Sequence, residues 1–173
     1  MAKKKELADV EQLREDLLIC RKNGYHKIPD ERVKKADAFC EDYKEFLDHS
    51  KTEREAVKSA IVRAEKEGFV AFDPKKSYKA GDKVYYNNRG KALILAVIGK
   101  EGCKDGVRIA AAHIDSPRLD LKPHPLYEKD ELALFKSHYY GGIKKYQWTA
   151  IPLSMHGLAV LKDGTHVEIR LGE

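Results

Sequence analysis

Cysteine is scarce in this chain, and the three present, Cys20, Cys40 and Cys103, are odd in number, far apart and free of any C-x-x-C spacing. That pattern excludes a disulfide framework and a zinc knuckle, and it fits a reducing compartment. No window approaches the ~18 consecutive apolar residues of a membrane span. The amino terminus, MAKKKELADVEQLRED, turns acidic and amphipathic where a secretory leader needs an apolar centre, so no leader and no membrane partner are expected and a cytoplasmic location is. A one-signed charge field is missing too: 33 Lys and Arg against 28 Asp and Glu give +5, and the only dense basic run is Lys3-Lys4-Lys5. Interspersed charges of this kind solvate helix faces, so no nucleic-acid partner is expected. Repeats and low-complexity tracts are absent.

What remains is a globular composition, 42% hydrophobic over 173 residues, enough for one domain or for one domain with part of a second. Val10, Leu13, Leu17 and Cys20 recur at helical spacing, as do Val33, Ala36, Cys40, Tyr43 and Leu47, with Pro29-Asp30 starting the second helix. S-K-T-E-R-E then offers two overlapping capping boxes, Ser50 with Glu53 and Thr52 with Glu55, ahead of a face made by Val57, Ile61 and Ala64, and Gly68 is the expected stop. After Phe69 the texture becomes that of strands. Lys83 to Asn87 and Ala92 to Ile98 flank the hairpin turn Asn88-Arg89-Gly90. Val107 to Ala112, apolar without alternation, predicts a strand covered on both faces. Pro117, Pro123 and Pro125 predict a loop that joins no ladder centrally. A second change of texture falls at Tyr139-Tyr140-Gly141-Gly142, followed by expected strands at Tyr146 to Leu153, Gly157 to Leu161 and His166 to Leu171, with Asp163-Gly164 as a hairpin turn.

The stretch V-R-I-A-A-A-H-I-D-S-P ends an apolar run on His113 and Asp115. Ligands of open α/β sheets collect beyond the carboxyl ends of strands, and residues at i and i+2 of a strand address the same side. An imidazole is a good zinc ligand, and a neighbouring carboxylate orients it. An H-x-D pair alone also suits a hydrogen-bonded structural histidine. His124, His138, His156 and His166 lack ligand spacing. Cys103 has no partner pattern for a nucleophile, and Arg118 and Lys122 are read as solvated loop charges. Tyr139, Tyr140, Tyr146 and Trp148, interleaved with Lys144 and Lys145, are read as packing at a domain hinge rather than as a stacking platform for bases.

The longer string A-H-I-D-S-P-R-L-D-L-K-P, with P-L-Y-E and H-Y-Y-G-G-I-K-K-Y-Q-W behind it, resembles the aminopeptidase I and aspartyl aminopeptidase family of dinuclear-zinc exopeptidases, in its bacterial form. F-C-E-D-Y-K-E-F-L-D-H-S-K-T-E-R-E-A-V resembles the helices that precede that block. The resemblance covers the chain from about Phe39 onward. It implies an α/β fold: a zinc-exopeptidase-like sheet with N-terminal helices over residues 1–138, then the start of a β-rich dimerisation domain over 139–173. It implies His113 as a zinc ligand, Asp115 as the catalytic-site carboxylate, a peptide substrate and a homo-oligomer.

The family's remaining metal ligands and its Glu-Glu general base have no counterpart here, since no two glutamates are adjacent in the sequence. A site for a pair of zinc ions needs about five protein ligands. The expectation is therefore part of a metal-dependent aminopeptidase, inactive as this chain alone, whose partner is the missing C-terminal portion. Because a metal-binding imidazole is neutral, zinc affinity is expected to fall below roughly pH 6. The alternative is a non-catalytic module that keeps the fold and associates through its β-rich part.

Overall fold

The computed structural model describes residues 10–14, 16–19 and 23–172. The chain divides into two units, 1–43 and 44–173. In the first, residues 10–14 and 16–17 are helical; Cys20, the last position of the expected apolar stripe, lies outside the described residues. A short 3-10 turn, Gly24–Lys27, is capped where the Asn23 side chain accepts from the Tyr25 N–H. Helix α1, Asp30–Asp48, starts behind Pro29, whose carbonyl accepts from Arg32 and Val33. Phe39 and Tyr43, one turn apart on α1, stack with ring centroids 6.4 Å apart.

Helix α2, Glu53–Lys66, shows both of its sequence-coded ends. The Thr52 side chain accepts from the Glu55 N–H, and the Glu55 carboxylate accepts from the Thr52 N–H at 3.1 Å, a complete capping box. The competing box does not form: the helix starts too late for it, and the Ser50 hydroxyl is buried without a hydrogen-bond partner among the described residues. At the other end Gly68 takes φ +84°, Phe69 N–H donates to the Ala64 carbonyl and Gly68 N–H to that of Glu65. This is a Schellman stop, and a side chain at 68 would be strained. Lys83 reaches back to donate to the Glu67 carbonyl at 2.8 Å.

Val57 and Ala64 of the expected face are buried together with Ala56, while Ile61 is half-buried. They meet a three-stranded sheet in the order β1 (Val70–Ala71), β2 (Lys83–Asn88), β3 (Ala92–Val97), with Val84 buried on β2. Strand β1 runs parallel to β2, and β2 pairs antiparallel with β3 through the turn at Arg89 and Gly90, both at positive φ.

Two further hairpins follow. Strands β4 (Arg118–Lys129) and β5 (Leu132–Tyr140) join through Asp130 and Glu131, both at positive φ. The expected proline loop is thus mostly strand. Its register nonetheless shifts between Leu121 and Leu126, so Pro123 and Pro125 sit where the ladder is interrupted and their missing N–H groups cost nothing. Residues expected as a strand at Tyr146–Leu153 instead open with a single helical turn, α3 (Lys145–Trp148). A short aromatic run carries no period that separates the two states. Strands β6 (Met155–Val160) and β7 (His166–Leu171) form the last hairpin around Asp163-Gly164, as its turn residues imply.

Glu55 also ties this hairpin to α2. Its Oε1 lies 2.9 Å from His156 Nδ1 and 3.3 Å from Arg170, and the His156 side chain is only 6% exposed. Burial alone raises the Glu55 carboxyl. The His156 imidazole, Thr52 and Arg170 outweigh it and hold that carboxyl below its ordinary value.

Candidate metal centre

The expected strand Val107–Ala112 is not in any ladder: residues 106–116 carry no regular structure, and Ile109 is 82% exposed. Strand propensity needs a neighbour to pair with, and among the described residues none lies alongside. His113 and Asp115 are therefore brought together by their own side chains rather than by a pleat. His113 Nδ1 sits 2.9 Å from the Asp115 main-chain oxygen and 3.0 Å from Asp115 Oδ1. A carbonyl and a carboxylate only accept, so Nδ1 carries the hydrogen. In the neutral ring the lone pair is then on Nε2, and the His113 side chain is 83% exposed. That is the tautomer and the access a cation ligand requires.

Tyr140, outside the motif, also acts on Asp115: with the Asp115 N–H and the His113 ring it holds that carboxyl below the usual carboxylate range, and the carboxylate in turn pushes the Tyr140 phenol up. The β4–β5 ladder places Tyr140 opposite Arg118. The Arg118 guanidinium lies 4.1 Å from the Tyr140 ring centroid, and its Nε donates to Asp120 at 2.7 Å. Arg118 is thus a braced group, not a loose loop charge. Gly141, at φ +74°, lets the chain pass close to Pro117: a Cβ there would meet Pro117 Cα at 3.4 Å. Recognition of the two-residue turn at Asp130-Glu131 would have revealed this pairing, but neither residue is a turn glycine or asparagine.

Of the other histidines weighed as ligands, none lies in a group of three or more candidate metal donors among the described residues. His156 is engaged by Glu55 and Ser154, His138 stacks on Tyr139 at 5.4 Å, and His124 sits at φ +52° in the β4 irregularity. Among the described residues no group of three or more His, Cys, Asp or Glu side chains could hold a metal ion. The donor set fits zinc in part: His113 offers one imidazole nitrogen with its tautomer set, and Asp115 orients it. No helix among the described residues is long and apolar enough to cross a membrane.

The sequence model of the aminopeptidase I zinc metalloprotease (M18) family matches residues 46–172. A probable M18 family aminopeptidase 1 of Clostridium acetobutylicum is 50% identical over 162 residues, which are 91% of this chain and 35% of that protein. Among solved structures, aminopeptidase I from Borrelia burgdorferi B31 is similar at a TM-score of 0.82 and 44% identity, over 87% of this chain and 37% of that one. The M18 aminopeptidase from Thermotoga maritima is similar at 0.79 and 43%, over 88% and 33%. The chain thus spans about a third of the length of the relatives it matches.

Proposed function

Because the chain belongs to the aminopeptidase I zinc metalloprotease family, M18, we propose that it furnishes the first part of a metal-dependent aminopeptidase that removes N-terminal residues from peptides. The observation that carries this reading is the His113–Asp115 pair, whose Nδ1 hydrogen bonds at 2.9 and 3.0 Å leave Nε2 free for a cation. His113 is the zinc ligand and Asp115 the catalytic-site carboxylate that sets its ring. The chemistry zinc supplies when bound is that of a Lewis acid, a more acidic water and a polarised carbonyl. The other ligands and the general base come from the remainder of a peptidase-length polypeptide, which completes a centre for a pair of zinc ions.

Residues 1–138 then belong to the peptidase domain and 139–173 open a β-rich dimerisation domain through which copies associate. In support, the last hairpin leaves Val160 and Leu171 more than half exposed, apolar surface of the kind an interface covers. The spacing of the cysteines supports a cytoplasmic setting.

The test is reconstitution. The chain alone and the chain co-produced with the missing two-thirds are compared for zinc content and for release of N-terminal residues from short peptides. Activity and about two zinc ions per protomer only in the co-produced sample is the expected result. A complete, folded assembly that binds no zinc and releases nothing refutes the reading and leaves a non-catalytic association module.

A further inference from the structure

Glu55 uses its two carboxylate oxygens differently. Oε2 accepts from the Thr52 N–H at 3.1 Å and from the Thr52 hydroxyl at 3.2 Å, which closes the start of α2. Oε1 takes His156 Nδ1 of β6 at 2.9 Å and Arg170 Nη2 of β7 at 3.3 Å. A capping box works with glutamine as well as with glutamate. The contact to the hairpin, one of whose donors is a guanidinium, draws its strength from the charged form. An ionised carboxylate offers about four acceptor positions, and the Thr52 N–H, the Thr52 hydroxyl, His156 and Arg170 occupy them, so an added proton displaces a donor. The His156 side chain is 6% exposed and that of Glu55 15%, which leaves a displaced donor little water to turn to.

We propose that Glu55 is an acid-sensitive latch that docks the β6–β7 hairpin on α2 and releases it when the carboxylate takes up a proton. The other charged groups at the contact do not switch it. His156 keeps its Nδ1 hydrogen bond in either protonation state, because the Ser154 hydroxyl 3.1 Å from Nε2 can donate to a neutral ring or accept from a charged one. Arg170 carries its charge at every working pH. Lys58, one turn along α2, meets Glu168 at 2.9 Å, two residues before Arg170 on the same face of β7. Both side chains of that pair are more than half exposed, so it adds little to the docking.

The β6–β7 pair is a two-stranded sheet, and such a hairpin is marginal in water by itself, so amide protection in it reports docking. Hydrogen exchange is measured on the whole chain as protection factors, which remove the pH dependence of the intrinsic rate, with the β2–β3 ladder as internal reference. In the wild type, β6–β7 protection is expected to hold at neutral pH and to fall by about 10-fold or more, relative to β2–β3, as the pH drops below 4.5. Glu55→Gln should show the loosened hairpin already at neutral pH, without a further step on acidification, while the first turn of α2 stays protected. Arg170→Gln, which leaves the capping box intact, should loosen the hairpin in the same direction. Equal β6–β7 protection in the wild type and Glu55→Gln at neutral pH overturns the proposal. The readout needs no metal and no activity, so a chain that unlatches as expected yet takes up no zinc when reconstituted keeps the latch and loses the aminopeptidase reading.

Discussion

At the scale of single residues, the consequence of a held imidazole is that the group orienting it matters to metal binding, though less than the ligand itself. His113→Gln should lower the zinc affinity of the reconstituted protein by at least ~100-fold, and Asp115→Asn by roughly 10-fold or more, as read by competition with a chelating dye. Glu55 makes a different prediction. Its carboxyl is held below the ordinary glutamate value of 4.5, so its contribution to stability is full above that value and is lost as pH falls through the lower folded-state value. Thermal unfolding followed from neutral pH down to about 3 should therefore show a fall that begins below 4.5, and Glu55→Gln should flatten it; equal pH profiles for the two proteins would contradict the assignment. The H-x-D pair was legible in the sequence because its chemistry lies within three positions. The partners of Glu55, His156 and Arg170, were not, because they come from a distant hairpin whose register sets them side by side against the helix.

At the scale of elements, local chemistry predicts the ends better than the middles. The capping box at Thr52 and Glu55 and the Schellman stop at Gly68 were both legible, since caps are coded by the few residues that form them. Thr52→Ala should cost about 1 kcal/mol and Gly68→Ala a similar amount, each seen as a shift in denaturant midpoint without a change in slope. Segments that depend on a partner were less legible. Val107 to Ala112 reads as a buried strand, yet without a neighbouring strand it forms no ladder. Conversely, β4 accommodates Pro123 and Pro125 by a register shift that no residue count announces. The turn at Asp130 and Glu131 places both residues at positive φ, a conformation that aspartate tolerates but that costs glutamate roughly 1–2 kcal/mol. Glu131→Gly should therefore gain about 0.5 kcal/mol after the added flexibility of the unfolded chain is counted. The Glu128 carboxylate that accepts from the residue-131 N–H would be retained.

At the scale of the whole molecule, the small buried set of Ala56, Val57, Ala64 and Val84 stands beside broad apolar exposure at Ile94, Val97 and Ile109. The relatives run to nearly three times the matched length; on the proposed reading, a polypeptide of that length supplies the cover for these surfaces and the other metal ligands. The most direct test is anomalous diffraction at the zinc edge from crystals of the reconstituted protein. The account predicts a zinc peak about 2.0–2.1 Å from His113 Nε2, with Nδ1 still hydrogen-bonded to Asp115. A zinc ion bound without His113, or bound through its Nδ1, would contradict it.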